Sequence, residues 1–331
     1  MWQQYLYSGP TGNRPYFVYT PTNYSPGVAV PLIVMLHGCT QTVEDFAFGT
    51  QMNQVAEQQN FIVVYPQQVS SANSSLCWNW FDTRNQSRSS GEAAIIAGIV
   101  QAMQQNTAQW TIDANRVYAA GFSAGAALTV ILGATYPDIF AAIGVHSGME
   151  YQAAINFSTA LRAMRKGGPN PQQQGQVAYA AMDAHARVVP TVVFHGTNDH
   201  TTSAINGDQV VQQWMTTDKL ASQGTYNPDF VVPDTTTTGQ IPNGHSYVTL
   251  GWNDTTGNTI QHYWKVNGMN HAWSGGKVGG SYTDPLGPDA TQAMYLFFMA
   301  HPLVSASQVQ VQGHRSLWES VRDFVKDVLN R

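Results

Sequence analysis

The sequence predicts an α/β fold built on one largely parallel sheet, and three observations carry that prediction. Short continuous apolar runs, most ending in Gly, Pro or His, recur along the chain. Stretches that are apolar at helical spacing lie between them. One run gives way, through Gly121-Phe122-Ser123-Ala124-Gly125, to an Ala-rich helical stretch. A strand buried on both faces reads as an unbroken apolar run, and alternation of such runs with helices is the mark of parallel crossovers.

In chain order, residues 16–20 read as an early strand. Residues 31–37 (Pro-Leu-Ile-Val-Met-Leu-His) form a doubly buried strand stopped by Gly38. Residues 50–60 are helix-compatible, and 61–65 make a buried strand ended by Pro66. Helical spacing of Ala94, Ile95, Ala97, Gly98, Val100 and Met103 predicts a helix over 92–104. Residues 116–120 are a strand running into Gly121, and 124–135 a helix. Strands follow at 140–146, 190–195 and 262–266, and a closing helix at 289–299 starts with Asp289, a good N-cap. The Thr/Asn/Gly/Pro-rich stretch 224–258 reads as loops or a short antiparallel excursion, and 170–176 as a polar surface insert. No repeat or linker is visible, so residues 1–302 are expected to form a single domain. An extension, 303–331, follows. In its last part Leu317, Val321, Phe324, Val325, Val328 and Leu329 share one helical face opposite Glu319, Arg322, Asp323, Lys326 and Asp327. This is expected to be a terminal helix docked on the body, or one used for self-association or surface adsorption.

Composition excludes several classes. Only 11% of the 331 residues are charged, against a usual share of about 25%. The 43% hydrophobic content, nine Trp and net charge of −5 do not describe a disordered chain. No apolar run is long enough for a membrane-spanning helix. Fifteen Lys and Arg against 20 Asp and Glu argue against a nucleic-acid partner. Cys39 and Cys77 are too few for a thiolate metal site or a disulfide scaffold. They are either free thiols or one bridge. Scarce charge and that possible bridge point to a secreted or periplasmic protein, although residues 1–7 show no signal-peptide pattern and an intracellular location stays open.

The pentapeptide at 121–125 matches the nucleophile elbow, a tight strand-to-helix turn that presents Ser123 above the sheet. A Ser hydroxyl needs a base, and the base an orienting carboxylate, in the chain order Ser, acid, His. Asp199 leaves the strand 190–195 and is preferred over Asp208, which reads as helical. His271, in the Gly/Asn-rich loop after 262–266, has the placement of a general base, with His245 as runner-up. His37, His146, His195 and His262 read as strand-end or core histidines. The backbone N–H groups of Ala124 and Cys39 are the expected oxyanion donors, and a Cys39–Cys77 bridge would pin the second of them.

His37-Gly-Cys-Thr-Gln41, Cys77-Trp-Asn-Trp-Phe81, Gly121-Phe-Ser-Ala-Gly125, Val145-His-Ser-Gly148, His195-Gly-Thr-Asn-Asp199, Asn270-His-Ala-Trp-Ser-Gly-Gly276 and Gly280-Ser-Tyr-Thr-Asp-Pro285 together resemble the poly(3-hydroxybutyrate) depolymerase family of esterases. Feruloyl and acetylxylan esterase-like proteins belong to it too. The resemblance implies an α/β-hydrolase fold, a triad of Ser123, Asp199 and His271, and an oxyanion loop at Cys39 tied by a disulfide to Cys77. It places Trp273, with Trp78 and Trp80, at the substrate cleft, and implies no cofactor and no metal. The expected activity is hydrolysis of a short-chain polyhydroxyalkanoate or its oligomers. The alternatives are a feruloyl or acetylxylan esterase, and a non-catalytic polymer-binding module on the same fold.

Overall fold

A computed structural model describes residues 1–303. The amphipathic sequence at 315–331 lies outside the described residues. Ten strands form one sheet: β1 (Trp2–Gly9), β2 (Gly12–Tyr19), β3 (Val30–Leu36), β4 (Ile62–Pro66), β5 (Ile112–Phe122), β6 (Ile143–His146), β7 (Thr191–Gly196), β8 (Thr235–Gln240), β9 (Ser246–Asn253) and β10 (Thr259–Val266). Their spatial order is β1-β2-β4-β3-β5-β6-β7-β10-β9-β8. From β4 through β3, β5, β6 and β7 to β10 every pairing is parallel, whereas β1–β2–β4 and β10–β9–β8 pair antiparallel. The sheet is therefore largely parallel with an antiparallel flank at each side.

The unbroken apolar run in β3 has the cause its sequence suggests. Leu32, Val34 and Leu36 face one core layer and Ile33 and Met35 the other. The first layer is covered by α3 (Gly91–Gln105), α4 (Ala124–Thr135), α6 (Pro171–Met182) and α7 (Ile205–Ala221). The second is covered by α1 (Val43–Thr50), α2 (Met52–Gln59) and α8 (Ala290–Ala300). The remaining helix, α5 (Phe157–Lys166), leads into α6 through Gly167 and Gly168. Among the described residues, no helix is long and apolar enough to cross a membrane.

Several sequence expectations need correction. The helix expected over 50–60 is α2, and a further helix, α1, precedes it over 43–50; Gln51, in a left-handed backbone (φ 58°), ends one and starts the other. The polar insert at 170–176 is the first part of α6. Asn170 caps it by accepting from the Gln173 N–H (3.0 Å), and Pro171 occupies the first turn. Its buried stripe is Gln174, Gly175, Ala178 and Met182, with Gln174 donating to the Tyr151 and Gln152 carbonyls. A stripe of Gln, Gly and Ala gives no apolar periodicity to detect. β1, which the sequence does not announce, is a half-exposed edge strand whose Gln residues interrupt the apolar pattern. The excursion at 224–258 does carry antiparallel strands, β8 and β9.

α4 approaches the end of β3 more closely than any side chain allows. A Cβ on Gly125 would lie 2.1 Å from the Leu36 carbonyl oxygen and 2.6 Å from that of His37. Gly125→Ala is therefore expected to destabilise the protein by about 2–3 kcal/mol, since rigid backbone must move. A urea denaturation series measures this, with a shifted midpoint and an unchanged slope expected.

Candidate active site

The functional loops all leave the carboxyl ends of parallel strands, which is where open α/β sheets place their ligand sites. β5 ends at Phe122 and α4 begins at Ala124, so Ser123 alone makes the turn. Its backbone is at φ 55°, ψ −118°, a conformation that side-chain-bearing residues rarely adopt. It is held by the Ser123 N–H donating to the His146 carbonyl at 3.0 Å. The helix N-terminus behind the residue favours negative charge beside it.

Asp199 and His271 come from neighbouring parallel strands, β7 and β10, whose loops are stitched together. Thr197 N–H donates to Val266 O (2.9 Å), Asn198 N–H to Met269 O (3.1 Å), Gly268 N–H to Thr197 Oγ1 (2.9 Å), and Asn198 Nδ2 to Asn270 Oδ1 (2.8 Å). A Cβ on Gly196 would meet the Met269 carbonyl at 2.2 Å, so only glycine permits this approach. His271 Nδ1 then donates to Asp199 Oδ2 at 2.7 Å. The other carboxylate oxygen accepts from Thr201 N–H (2.9 Å) and Thr202 N–H (2.8 Å). His195 Nε2 sits 3.5 Å from Asp199 Oδ2 and donates to Thr202 O at 2.8 Å. Burial pushes the Asp199 carboxyl up, but His195 and His271 outweigh it and hold the group well below the usual carboxylate range. The His271 ring lies 4.7 Å from that of Phe122, beside Ser123. With Nδ1 committed to the carboxylate, Nε2 is the nitrogen left to take a proton. Among the described residues no hydrogen bond joins it to Ser123 Oγ; such contacts are often long in unliganded sites.

The loop after β3 lies at the level of the elbow, since Leu36 pairs with Gly121 across the sheet. Gly38 N–H donates to Gln41 Oε1 (2.9 Å), Thr40 N–H to Ser75 O (2.7 Å) and Gln41 N–H to Gly38 O (3.4 Å). The N–H groups of Cys39 and Ala124 have no such acceptor among the described residues. The two donors expected to face an oxyanion are thus free of protein acceptors, Ala124 as the first residue of a helix ordinarily is. Cys39 is joined to Cys77 by a disulfide (Cα–Cα 4.2 Å). The far side of the bridge is fixed by the buried Glu92, whose carboxylate accepts from Asn79 N–H (2.7 Å), Asn79 Nδ2 (2.9 Å) and Gln68 Nε2 (2.5 Å). Gln68 also donates to Cys77 O (2.8 Å). Sequence reasoning found both cysteines but not this buried carboxylate anchor, which only the fold assembles.

The competing residues sit elsewhere. Asp208 is in α7 and pairs with Lys265 (2.9 Å). His245 pairs with Asp284 (2.9 Å). His37 and His146 are buried with both ring nitrogens engaged: Gln68 N–H and Ser274 N–H donate to their Nε2 atoms, and their Nδ1 atoms face Gly38 O and Ser147 Oγ. Burial pulls His37 and His262 down to about 4, and His146 well below its ordinary value. Trp78, Trp80 and Trp273, expected at the cleft, are all buried: Trp273 stacks on His146 (4.9 Å) and donates to Thr291 Oγ1, while Trp78 lies 5.5 Å from His37. Among the described residues no cluster of His, Cys, Asp or Glu is arranged to hold a metal ion.

Residues 15–225 match the family model described as esterase PHB depolymerase. Poly(3-hydroxyalkanoate) depolymerase C of Paucimonas lemoignei is 35% identical over 205 residues, covering 61% of this chain and 48% of that protein. A poly(3-hydroxybutyrate) depolymerase of Ralstonia pickettii is 29% identical over 299 residues, covering 87% and 57%. Acetylxylan esterase A of Emericella nidulans is 32% identical over 214 residues, covering 61% and 66%. The chain thus spans about half the length of the two depolymerases. The fold is that of the acetyl xylan esterase from Aspergillus awamori, with a TM-score of 0.70 at 22% identity over 91% of this chain and 99% of that one.

Glu150, in the loop after β6, is a titratable group the sequence did not flag. It is buried, neither carboxyl oxygen has a partner among the described residues, and burial raises it to about 9. The folded protein keeps this group protonated while the unfolded chain loses its proton near pH 4.5, so stability falls as pH rises from 4.5 toward 9. Glu150→Gln is expected to remove that slope and to stabilise the protein by about 2 kcal/mol or more at pH 8. Urea midpoints of both proteins at pH 5 and pH 8 measure it.

Proposed function

The chain belongs to the esterase PHB depolymerase family, and on that premise we propose that it is a serine hydrolase of carboxylic esters whose substrate is a short-chain polyhydroxyalkanoate or its oligomers. The observation that carries the proposal is the 2.7 Å contact from His271 Nδ1 to the buried Asp199, on a loop that stands beside the strained elbow of Ser123. In the reaction, Ser123 Oγ attacks the ester carbonyl carbon while His271 Nε2 takes its proton. Asp199 stays ionised, fixes the ring's tautomer and offsets the charge of the imidazolium. The carbonyl oxygen, now negative, accepts from the Cys39 and Ala124 N–H groups. Collapse breaks the bond to the alcohol oxygen, which leaves with the proton from His271. Water, deprotonated by the same nitrogen, then attacks the acyl carbon; the bond to Ser123 Oγ breaks, that oxygen takes the proton back from His271, and the acid is released.

A neutral polyester suits the surface. Of the 35 charged residues, 28 are spread over the first 314, so few charges would be desolvated on contact with an apolar solid. Ile155 and Phe157 are exposed (58% and 63%), and the Phe157 ring is 5.8 Å from Phe81, in the segment bridged to the oxyanion loop. Likeness to the named acetylxylan esterase supports the second reading, hydrolysis of acetyl or feruloyl esters on cell-wall carbohydrate. The Cys39–Cys77 bridge supports an oxidising compartment outside the cytoplasm. Residues 1–302 act as the catalytic unit, and 303–331 form an extension to it.

Ser123→Ala is expected to lower kcat on p-nitrophenyl butyrate at least about a thousandfold, and Asp199→Asn roughly ten-thousandfold, with folding intact. Near-wild-type turnover in either variant would sink the mechanism. Parallel assays on hydroxybutyrate trimer, methyl ferulate and acetylated xylan separate the substrates. Preferential release of hydroxybutyrate is expected, and preference for either carbohydrate ester would transfer the assignment to the second reading.

A further inference from the structure

The segment Gly280-Ser281-Tyr282-Thr283-Asp284 has no part in the chemistry above, yet it is tied to both of its loops. Two short strands, β11 (Trp273–Ser274) and β12 (Thr283–Asp284), join it to the chain just after His271. Trp273 N–H donates to Tyr282 O at 2.7 Å and Gly275 N–H to Asp284 O at 2.9 Å. On its other side Gln41 Nε2 donates to Ser281 O (3.2 Å), and the Ser281 N–H and hydroxyl both bond to Asp45. Between these anchors Tyr282 is forced into a left-handed backbone (φ 51°), uncommon for a bulky residue. The residue is nevertheless 45% exposed, and its ring borders the site. The centroid is 6.2 Å from Phe122 and 6.5 Å from His271.

The phenol oxygen lies 3.1 Å from Thr40 Oγ1. Thr40 gives its single hydroxyl proton to Cys39 O at 2.6 Å, so Tyr282 is the donor in the pair. The peptide between Cys39 and Thr40 is thereby held at its oxygen by Thr40 and at its nitrogen by Ser75 O. Thr40, also left-handed (φ 64°), owes its place in part to the tyrosine.

We propose that Tyr282 is a specificity-determining residue: its ring walls the alcohol side of the bound ester, and its hydroxyl latches Thr40 so that the Cys39 N–H faces the site. This rests on the esterase reading given above. The side follows from geometry. The carbonyl oxygen must point to Cys39 and the departing oxygen to His271 Nε2, so a ring bordering both loops flanks the alcohol half and leaves the acyl half open.

The test is steady-state hydrolysis of methyl butyrate, hexyl butyrate and methyl hexanoate by wild type, Tyr282→Phe, Tyr282→Asn, Thr40→Ala and Tyr282→Phe/Thr40→Ala. Asn tolerates the left-handed backbone and so keeps the loop foldable without the ring. Tyr282→Phe is expected to lower kcat about five- to tenfold on all three esters with KM nearly unchanged. Thr40→Ala should match it, and the double variant should be no worse than either. Tyr282→Asn should in addition raise KM for hexyl butyrate about tenfold, with KM for methyl butyrate and methyl hexanoate within about twofold. Equal KM changes on the three esters, a change that follows acyl length, or an unaltered kcat in Tyr282→Phe would each overturn the proposal. Labelling of Ser123 by diethyl p-nitrophenyl phosphate separates the two levels. Wild type that is labelled while the variants keep wild-type kinetics refutes the role of Tyr282 alone; wild type that is not labelled refutes the esterase reading and the proposal with it.

Discussion

The contact between the backbone of Gly125 and the carbonyls of Leu36 and His37 fixes more of this molecule than any single side chain does. It sets how near α4 lies to β3, and hence how sharply the chain must turn at Ser123. That turn is why Ser123 sits at φ 55°, and why its N–H reaches back to the strand-end carbonyl of His146. The same approach brings the loop after β3 alongside the elbow. Two backbone N–H groups, Cys39 in the loop after β3 and Ala124 at the start of α4, are left without protein acceptors there.

Around that turn the structure keeps charge scarce and committed. His37 and His146 stay neutral because burial penalises their protonated forms and each ring nitrogen already faces a partner. Asp199 stays ionised because two histidines and two backbone N–H groups face its oxygens. One imidazole in this neighbourhood, that of His271, combines a carboxylate at Nδ1 with a position at the sheet's carboxyl edge. The site thus separates its titratable groups by environment, with structural rings held neutral and the orienting acid held charged.

How far the sequence could be read follows from what each element buries. Strands β3, β4, β6 and β7 and the second half of β5 were legible because both of their faces are covered, which writes their burial as an apolar run. α6 was not, because its inward stripe is Gln174, Gly175 and Ala178. Asp199 and His271 were legible as loop residues after strands, a placement that topology determines. The Glu92 anchor and the reach of Tyr282 were not, since each joins residues well separated in the chain; the contact to Asp199 from His195 is local, but a strand-end His gives no sign of where its ring turns. Trp78, Trp80 and Trp273 show the opposite hazard. An indole near a functional motif looks like lining, but its area is as easily spent on packing beneath the loop.

The order of these parts along the chain also bears on synthesis. The disulfide joins residues 39 and 77, so the loop it closes lies wholly ahead of Ser123 in the chain. Ser123 follows, then Asp199, and His271 comes only after β7, α7 and the antiparallel flank have been made. A chain short of residue 271 lacks the proposed base, and it lacks α8 as well, whose Met294 and Phe298 fill the second core layer. On the proposed mechanism the proton acceptor is thus among the last parts of the body to emerge, and the last helix closes the core only after it.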